Sequence, residues 1–144
     1  MSRSRTQSFA TPREVVERYN YELWNDQNYA TGAEIIGDHI VRNPPGARVV
    51  LTRQQAIDRV REFWAQVKHV KFDLRNIVAD EELCAIVYDT TIIKHDDSHD
   101  QVASIEILRV VAGRIVEVGN PVTYDHSSCA SPEPAATDEA DSQN

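Results

Sequence analysis

From Val70 to Val118 the chain carries four runs of strand-forming residues, while the longest periodic stretches before Val67 repeat at helical spacing. That segregation constrains the fold more than any other feature, because helices gathered at one end of a sequence and strands at the other specify an α+β layering. Thr11-Pro12-Arg13-Glu14 is a helix start: Thr11 caps, Pro12 suits the first helical position and Glu14 closes a capping box. The helix it opens runs from Pro12 to about Asn25, with Val15, Val16, Tyr19 and Leu23 as its apolar stripe, so the Tyr19 ring is expected to turn inward. A short second helix spans about Tyr29 to Ile36 and ends at Gly37, read here as a left-handed C-terminal residue. Thr52 with Gln55 opens a third, whose stripe is Ala56, Val60, Phe63, Trp64 and Val67.

Between the second and third helices, His39 to Arg42 and Arg48 to Leu51 read as a short hairpin broken by Asn43-Pro44-Pro45-Gly46, where prolines remove ladder donors. Val70, Phe72 and Leu74 then alternate with Lys71, Asp73 and Arg75 in a half-exposed strand. Leu83 to Lys94 and Gln101 to Val111 are long strands, and Ala112-Gly113 turns tightly into Arg114 to Val118, which frays through Asn120 toward Tyr124. The expected architecture is a curved antiparallel sheet wrapped around three N-terminal helices, a cone that leaves an internal cavity.

One residue breaks the most apolar strand. Glu106 sits within Val102-Ala103-Ser104-Ile105-Glu106-Ile107-Leu108-Arg109-Val110-Val111, and period-2 alternation leaves both faces of that strand mainly apolar. A carboxylate is costly to bury without a partner, so such an acid lies in a polar pocket or keeps its proton. Either condition makes it a candidate for chemistry.

At 144 residues the chain fits one domain that buries roughly two-thirds of its unfolded surface. The boundaries are read as a flexible N-terminus at 1–10, a folded domain at 11–126 and a disordered acidic tail at 127–144, the last lacking any large apolar residue. The formal net charge is −8, and the four acids of that tail, with no Lys or Arg, leave −4 for the remainder. This balance argues against nucleic acid as a partner. No apolar run approaches the length of a membrane span, and two isolated cysteines, Cys84 and Cys129, form no disulfide framework, which suits the cytoplasm.

The element order and these residues resemble the NTF2-like superfamily, in the branch that holds SnoaL-like polyketide cyclases, ketosteroid isomerases and limonene-type epoxide hydrolases. The resemblance covers about Thr11 to Tyr124. Val15-Val16-Glu17-Arg18-Tyr19 is similar to the first-helix segment of ketosteroid isomerases, which implies that Tyr19 donates a hydrogen bond to a developing oxyanion. Ile105-Glu106-Ile107-Leu108-Arg109 is similar to the strand in which those enzymes hold a protonated pocket acid, implying a second donor at Glu106. Asn43 before Pro44 stands where the isomerases carry their base, and an amide cannot serve as one. The epoxide hydrolases do place an Asn at that position, but they also need an Arg-x-Asp pair on a central strand and a second Asp on the last strand, and the nearest candidates here, Tyr88-Asp89-Thr90 and Asn120, supply neither.

The resemblance implies a cofactor-free lyase, isomerase or cyclase acting by general acid/base chemistry on a hydrophobic, polyketide- or steroid-like small molecule. Tyr19 and Glu106 are its catalytic candidates; Asn43, Trp64, Tyr88, Asn120 and His39 are its substrate-binding candidates. Two alternatives use the same fold: a non-catalytic binding protein, and a scaffold that forms a homodimer through Phe72, Leu74 and Ile92 on the outer sheet face. The turn His95-Asp96-Asp97-Ser98-His99-Asp100 matches no metal-ligand spacing, and no phosphate-binding glycine loop occurs, so neither a metal nor another cofactor is expected.

Overall fold

Both threonine caps form as their spacing predicts. Glu14 N–H donates to Thr11 Oγ1 at 3.2 Å while Thr11 N–H donates to the Glu14 carboxylate, and Gln55 N–H donates to Thr52 Oγ1 at 3.1 Å with the reciprocal bond at 2.9 Å. The computed structural model describes residues 8–119 and, for the backbone, 123–125. The tail at 127–144 and most of the expected flexible N-terminus lie outside the described residues.

Helix α1 (Pro12–Arg18) passes without a break into a π-helical segment, Tyr19–Asn25. Widening the helix from i→i+4 to i→i+5 bonding disturbs the carbonyl ladder at the join, and the buried Asn20 side chain donates to the Val16 carbonyl there at 2.9 Å. Val15, Val16, Tyr19 and Leu23 are all buried, so the stripe read from the sequence is the packed face. Helix α2 (Tyr29–Ile35) follows, capped by the Asn28 side chain. Gly37 does not take the expected left-handed conformation. It is instead the second residue of strand β1 (Ile36–Asn43), where an added Cβ would come within 3.1 Å of Val116 Cγ1. The chain leaves α2 directly in extended form at Ile36, so no left-handed cap is required.

Strand β2 (Val49–Thr52) returns against β1, and α3 (Arg53–Gln66) then crosses to β3 (His69–Ala79), β4 (Leu83–Ile93), β5 (His99–Val111), β6 (Arg114–Gly119) and the short β7 (Thr123–Asp125). The sheet is curved and unclosed, in the order β2-β1-β6-β5-β4-β3. The α+β class holds, with one correction: the sheet is mixed, because β1 runs parallel to β6 while every other neighbouring pair is antiparallel. Sequence order assigns partners to consecutive strands, whereas β1 meets β6 across the whole length of the domain.

The long strand β5 is the scaffold of the inner face. One edge pairs with β4 throughout; the other pairs with β6 from Ile107 onward and with β7 up to Ser104. Glu106 stands at the break between those two partners. The Ala112-Gly113 turn has positive φ at both residues, 52° and 75°, as a type I′ hairpin demands. A register shift between Arg109 and Val110 sets Ile107 opposite Gly119, where an uninterrupted hairpin would have placed Glu106.

Alternation along β4 and β5 turns Cys84, Ile86, Tyr88, Ser104, Glu106, Leu108 and Val110 toward the helices. Ile105 and Ile107 face outward, each about half exposed. Phe72 and Leu74, read from sequence as outer-face residues, pack instead against the core, and Ile92, in phase with the buried Tyr88 and Thr90, shares their side. The helices cover the face that the lysine and aspartate alternation of β3 leaves apolar.

Candidate functional site

The widened turn at Tyr19 and the inner face of β4 and β5 enclose a hollow of about 270 Å³. Tyr19 and Glu106 line it, each only 6 % exposed, with Tyr88 at 8 %. Tyr88 pairs with Ser104 and Ile86 with Glu106, so Tyr88 and Glu106 are diagonal neighbours on one face of the sheet. Trp24, Phe63 and Phe72 supply an aromatic wall: the Trp24 ring lies 5.1 Å from Phe72 and 5.7 Å from Phe63, and Phe72 lies 5.6 Å from Tyr88. Asn25 fixes the wall by a reciprocal pair of bonds to the Phe72 backbone, at 2.7 and 2.9 Å.

Two arginines share this hollow. Arg42 projects from β1, two residues beyond the buried Ile40, and Arg59 from α3, three residues after Ala56 and four before Phe63. Burial works against the Arg42 charge, yet its guanidinium is held above the usual range because Tyr19, Glu106 and Tyr88 face it as acidic groups, Tyr19 also through its hydroxyl. Arg59 is pushed below that range, first by burial and then by the like charge of Arg42. The residue as a whole is exposed, yet it contributes to the lining of the hollow. Glu106 therefore has charged neighbours, not the purely apolar ones expected of a proton-retaining acid.

A second hollow of about 360 Å³ adjoins the first and is lined by Arg42, Asn43, Pro44, Pro45, Val49, Leu51, Arg59 and Val118. Asn43 belongs here and not beside Tyr19. Its side-chain amide donates to Glu117 at 2.9 Å, and that bond, followed by one from Arg109, holds the Glu117 carboxyl below its ordinary range. Trp64 stands behind the aromatic wall, where its indole N–H donates to the Trp24 carbonyl at 2.8 Å; its neighbour Phe63 is the residue that reaches the cavity. His39 is corrected: it is exposed, because the irregular pairing of β1 with β6 between Ile36 and Val41 gives the inner face to Ile40 and turns His39 outward. Asn120 lies outside the described residues.

Sequence reasoning thus singled out Tyr19, Glu106 and Tyr88, which share the hollow, and passed over Arg42, Arg59 and Asn20. The signal for both arginines was present. Arg42 is in phase with Ile40 on its strand, and Arg59 lies at helical spacing from both Ala56 and Phe63. Among the described residues, no group of three or more His, Cys, Asp or Glu side chains gathers as a metal site requires. No described helix is long and apolar enough to cross a membrane.

Residues 16–118 match the profile of the SnoaL-like domain. Among solved structures, IdmH from Streptomyces antibioticus, a candidate polyketide cyclase, superposes with a TM-score of 0.68 at 18% identity, covering 83% of this chain and 94% of its own. A candidate ketosteroid isomerase from Kribbella flavida gives 0.63 at 16% identity over 76% of each chain. An LEH-like epoxide hydrolase of M. tuberculosis gives 0.64 at 17% identity over 75% of this chain and 79% of its own. At these identities the likeness is one of fold. No curated protein matches the chain by sequence.

Proposed function

The chain belongs to the SnoaL-like domain family, and on that premise we propose that it is a general acid/base enzyme of the isomerase, lyase or cyclase kind, acting on a hydrophobic carbonyl compound held in the Tyr19–Glu106 hollow. One observation carries the reading: a carboxyl group and two phenols, all nearly closed off from solvent, line a single cavity together with two arginines. Nearby positive charge favours the ionised form of a carboxylic acid, which supports Glu106 as the proton-abstracting base. This fills the place that Asn43, an amide engaged with Glu117, leaves empty.

In the proposed step a Glu106 oxygen takes a proton from the carbon next to the substrate carbonyl. The released C–H electron pair forms the C=C bond of an enolate, and the carbonyl π pair moves onto oxygen. Tyr19 donates its hydroxyl hydrogen bond to that oxygen, with the charge of Arg42 behind it, an arrangement whose value lies in being fixed before the charge develops. Where the substrate carries a C=C bond β,γ to the carbonyl, the enolate is a dienolate: the oxygen pair re-forms the C=O bond, the double bond shifts to the α,β position, and the γ-carbon takes the proton back from Glu106, which isomerises the substrate. Alternatively the enolate carbon attacks a second carbonyl of the same molecule, closing a ring, and the new alkoxide takes the proton from Glu106. The aromatic wall of Trp24, Phe63 and Phe72 supplies apolar contact around the reacting end of the molecule.

The test is turnover of a panel of steroid enones and polyketide-like 1,3-dicarbonyl compounds, followed by absorbance. Glu106→Gln is expected to lower kcat by about 10²–10⁴-fold and Tyr19→Phe by about 10²–10³-fold, with ligand binding retained. Turnover that survives Glu106→Gln unchanged defeats this assignment.

A further inference from the structure

Arg42 and Arg59 line both hollows, and no other described residue does so. Three other arginines of the domain are held in ion pairs: Arg53 with Asp38, Arg75 with Asp89, and Arg109 with Glu82 and Glu117. Neither Arg42 nor Arg59 has a carboxylate within ion-pair distance among the described residues. Among the described residues that line the two hollows, two are cations and one, Glu106, is an acid, so that lining is positive even with the acid ionised, in a chain of net charge −8; Glu62 acts on Arg59 without itself lining either hollow.

Holding like charges together at the neck of a partly closed hollow is unfavourable unless an anion completes the arrangement. The mutual effect is visible in Arg59, whose charge burial and Arg42 both oppose. Guanidinium groups are flat forks that match a carboxylate with two parallel hydrogen bonds, and a site with such forks at its neck selects for that group. Beyond the neck, Pro44, Pro45, Val49, Leu51 and Val118 make the outer hollow an apolar seat.

We propose that the ligand of this cavity is a hydrophobic carboxylic acid, its carboxylate gripped between Arg42 and Arg59 and its apolar body lying in the outer hollow against Pro44, Pro45 and Val118. The inference rests on reading the hollow as a ligand cavity and deepens that reading by naming the substrate class, but it needs binding alone and not turnover. The arginine pair then does two things. It fixes the molecule along the axis that joins the hollows, so that an enolisable centre near the carboxylate is presented to Tyr19 and Glu106. It also discriminates against the uncharged ester, which cannot offset the repulsion between the two like-charged guanidinium groups.

The experiment is calorimetric titration of the full chain with three matched pairs: 2-naphthoate, 4-phenylbutyrate and decanoate, each against its methyl ester. At least one acid is expected to bind tenfold or more tightly than its ester, and the advantage to shrink as NaCl is raised. Arg59→Met, a change at an exposed residue outside the buried core, should weaken that acid by roughly tenfold to a hundredfold while changing the ester by less than about threefold. Arg59→Lys should recover part of the loss, and Arg42→Met should repeat it, with thermal unfolding confirming that each variant is folded. A panel in which no acid outbinds its ester, or an advantage that persists in both methionine variants, overturns the inference. Turnover of uncharged ketones that needs Glu106, without any preference for acids, would overturn it while leaving the proposed catalytic role standing. Tight acid binding without turnover would do the reverse.

Discussion

Gly32 brings α2 against Ile57 of α3, and it offers a prediction whose sign depends on geometry. A Cβ built there would lie 2.9 Å from Ile57 Cγ1, 3.2 Å from Ile57 Cδ1 and 3.3 Å from Leu23 Cδ1. Because Gly32 sits inside the helix Tyr29–Ile35, replacing it with alanine removes a helix penalty of about 0.8–1 kcal/mol. Against that stands overpacking. Apolar carbons prefer about 3.5–4.0 Å, and forcing a methyl into a filled core costs about 1–3 kcal/mol. Cγ1 of Ile57 is not the far end of a flexible chain, and both Ile57 and Leu23 are buried, so the overpacking term should win.

Gly32→Ala is therefore expected to destabilise the protein by up to about 2 kcal/mol, and the same change in an Ile57→Ala background to stabilise it by about 0.8–1 kcal/mol. The coupling between the two positions, about 1–3 kcal/mol, is the measured quantity. Urea unfolding of the four proteins, with slopes compared before midpoints, gives it directly. Equal stabilisation by Gly32→Ala in both backgrounds would refute the claim that the two helices are in filled contact. The contact matters to the site, because α3 carries Arg59 and Phe63; displacing it moves one arginine of the pair away from the other.

Two shorter predictions test the charge network and the sheet. Arg18 bonds the Glu22 carboxylate, and this, more than the Thr31 hydroxyl, holds Glu22 below its ordinary value of 4.5. A carboxyl with a depressed folded-state pKa adds stability that is present above the unfolded value and lost as pH falls through the folded one. The Arg18→Met penalty, about 0.2–1 kcal/mol after allowing for solvent screening of this half-exposed pair, should thus be full near neutrality and shrink below pH 4.5. A urea-midpoint difference that grows toward acid would contradict it. On β5, Leu108→Ala should cost about 2–5 kcal/mol in urea denaturation. Its neighbour Ile107, half exposed on the outer face, should lose under about 1.5 kcal/mol on the same change; similar losses at both would mean the strand's faces are misassigned.

The fold was legible because its signals are local. Two capping boxes, one helical stripe and the alternation of β4 and β5 each depend on residues within a few positions of one another. What was not legible is what distance decides. The parallel pairing of β1 with β6 joins residues some eighty positions apart. The register shift after Arg109, which moves Gly119 opposite Ile107, inserts one residue into β6 that no alternation rule marks, since Val116 is as strand-prone as its neighbours. Gly37 misled for a related reason. A glycine after a helix suggests a left-handed cap, but here its missing side chain makes room for Val116. Phe72 and Leu74 share one phase of β3 with Val70, and alternation alone cannot say which phase faces the helices.

The site follows the same division. Tyr19, Tyr88 and Glu106 could be named because a buried polar group inside an apolar pattern is conspicuous on its own strand or helix. Arg42 and Arg59 were passed over because each has a plausible solvent-facing reading alone, and only their convergence at one neck gives them a meaning. They come from β1 and α3, whereas Glu106 comes from β5 and Tyr19 from the π-helical turn, so no single supersecondary unit contains the cavity. The positive neck is thus created only when the helical layer docks on the sheet. Its electrostatic cost falls on that docking step and not on either layer alone. An anion that binds the neck should in consequence stabilise the docked state above all. It should raise the thermal midpoint of the wild-type chain by an amount that grows with its concentration over its Kd, and lose that effect when either arginine becomes methionine.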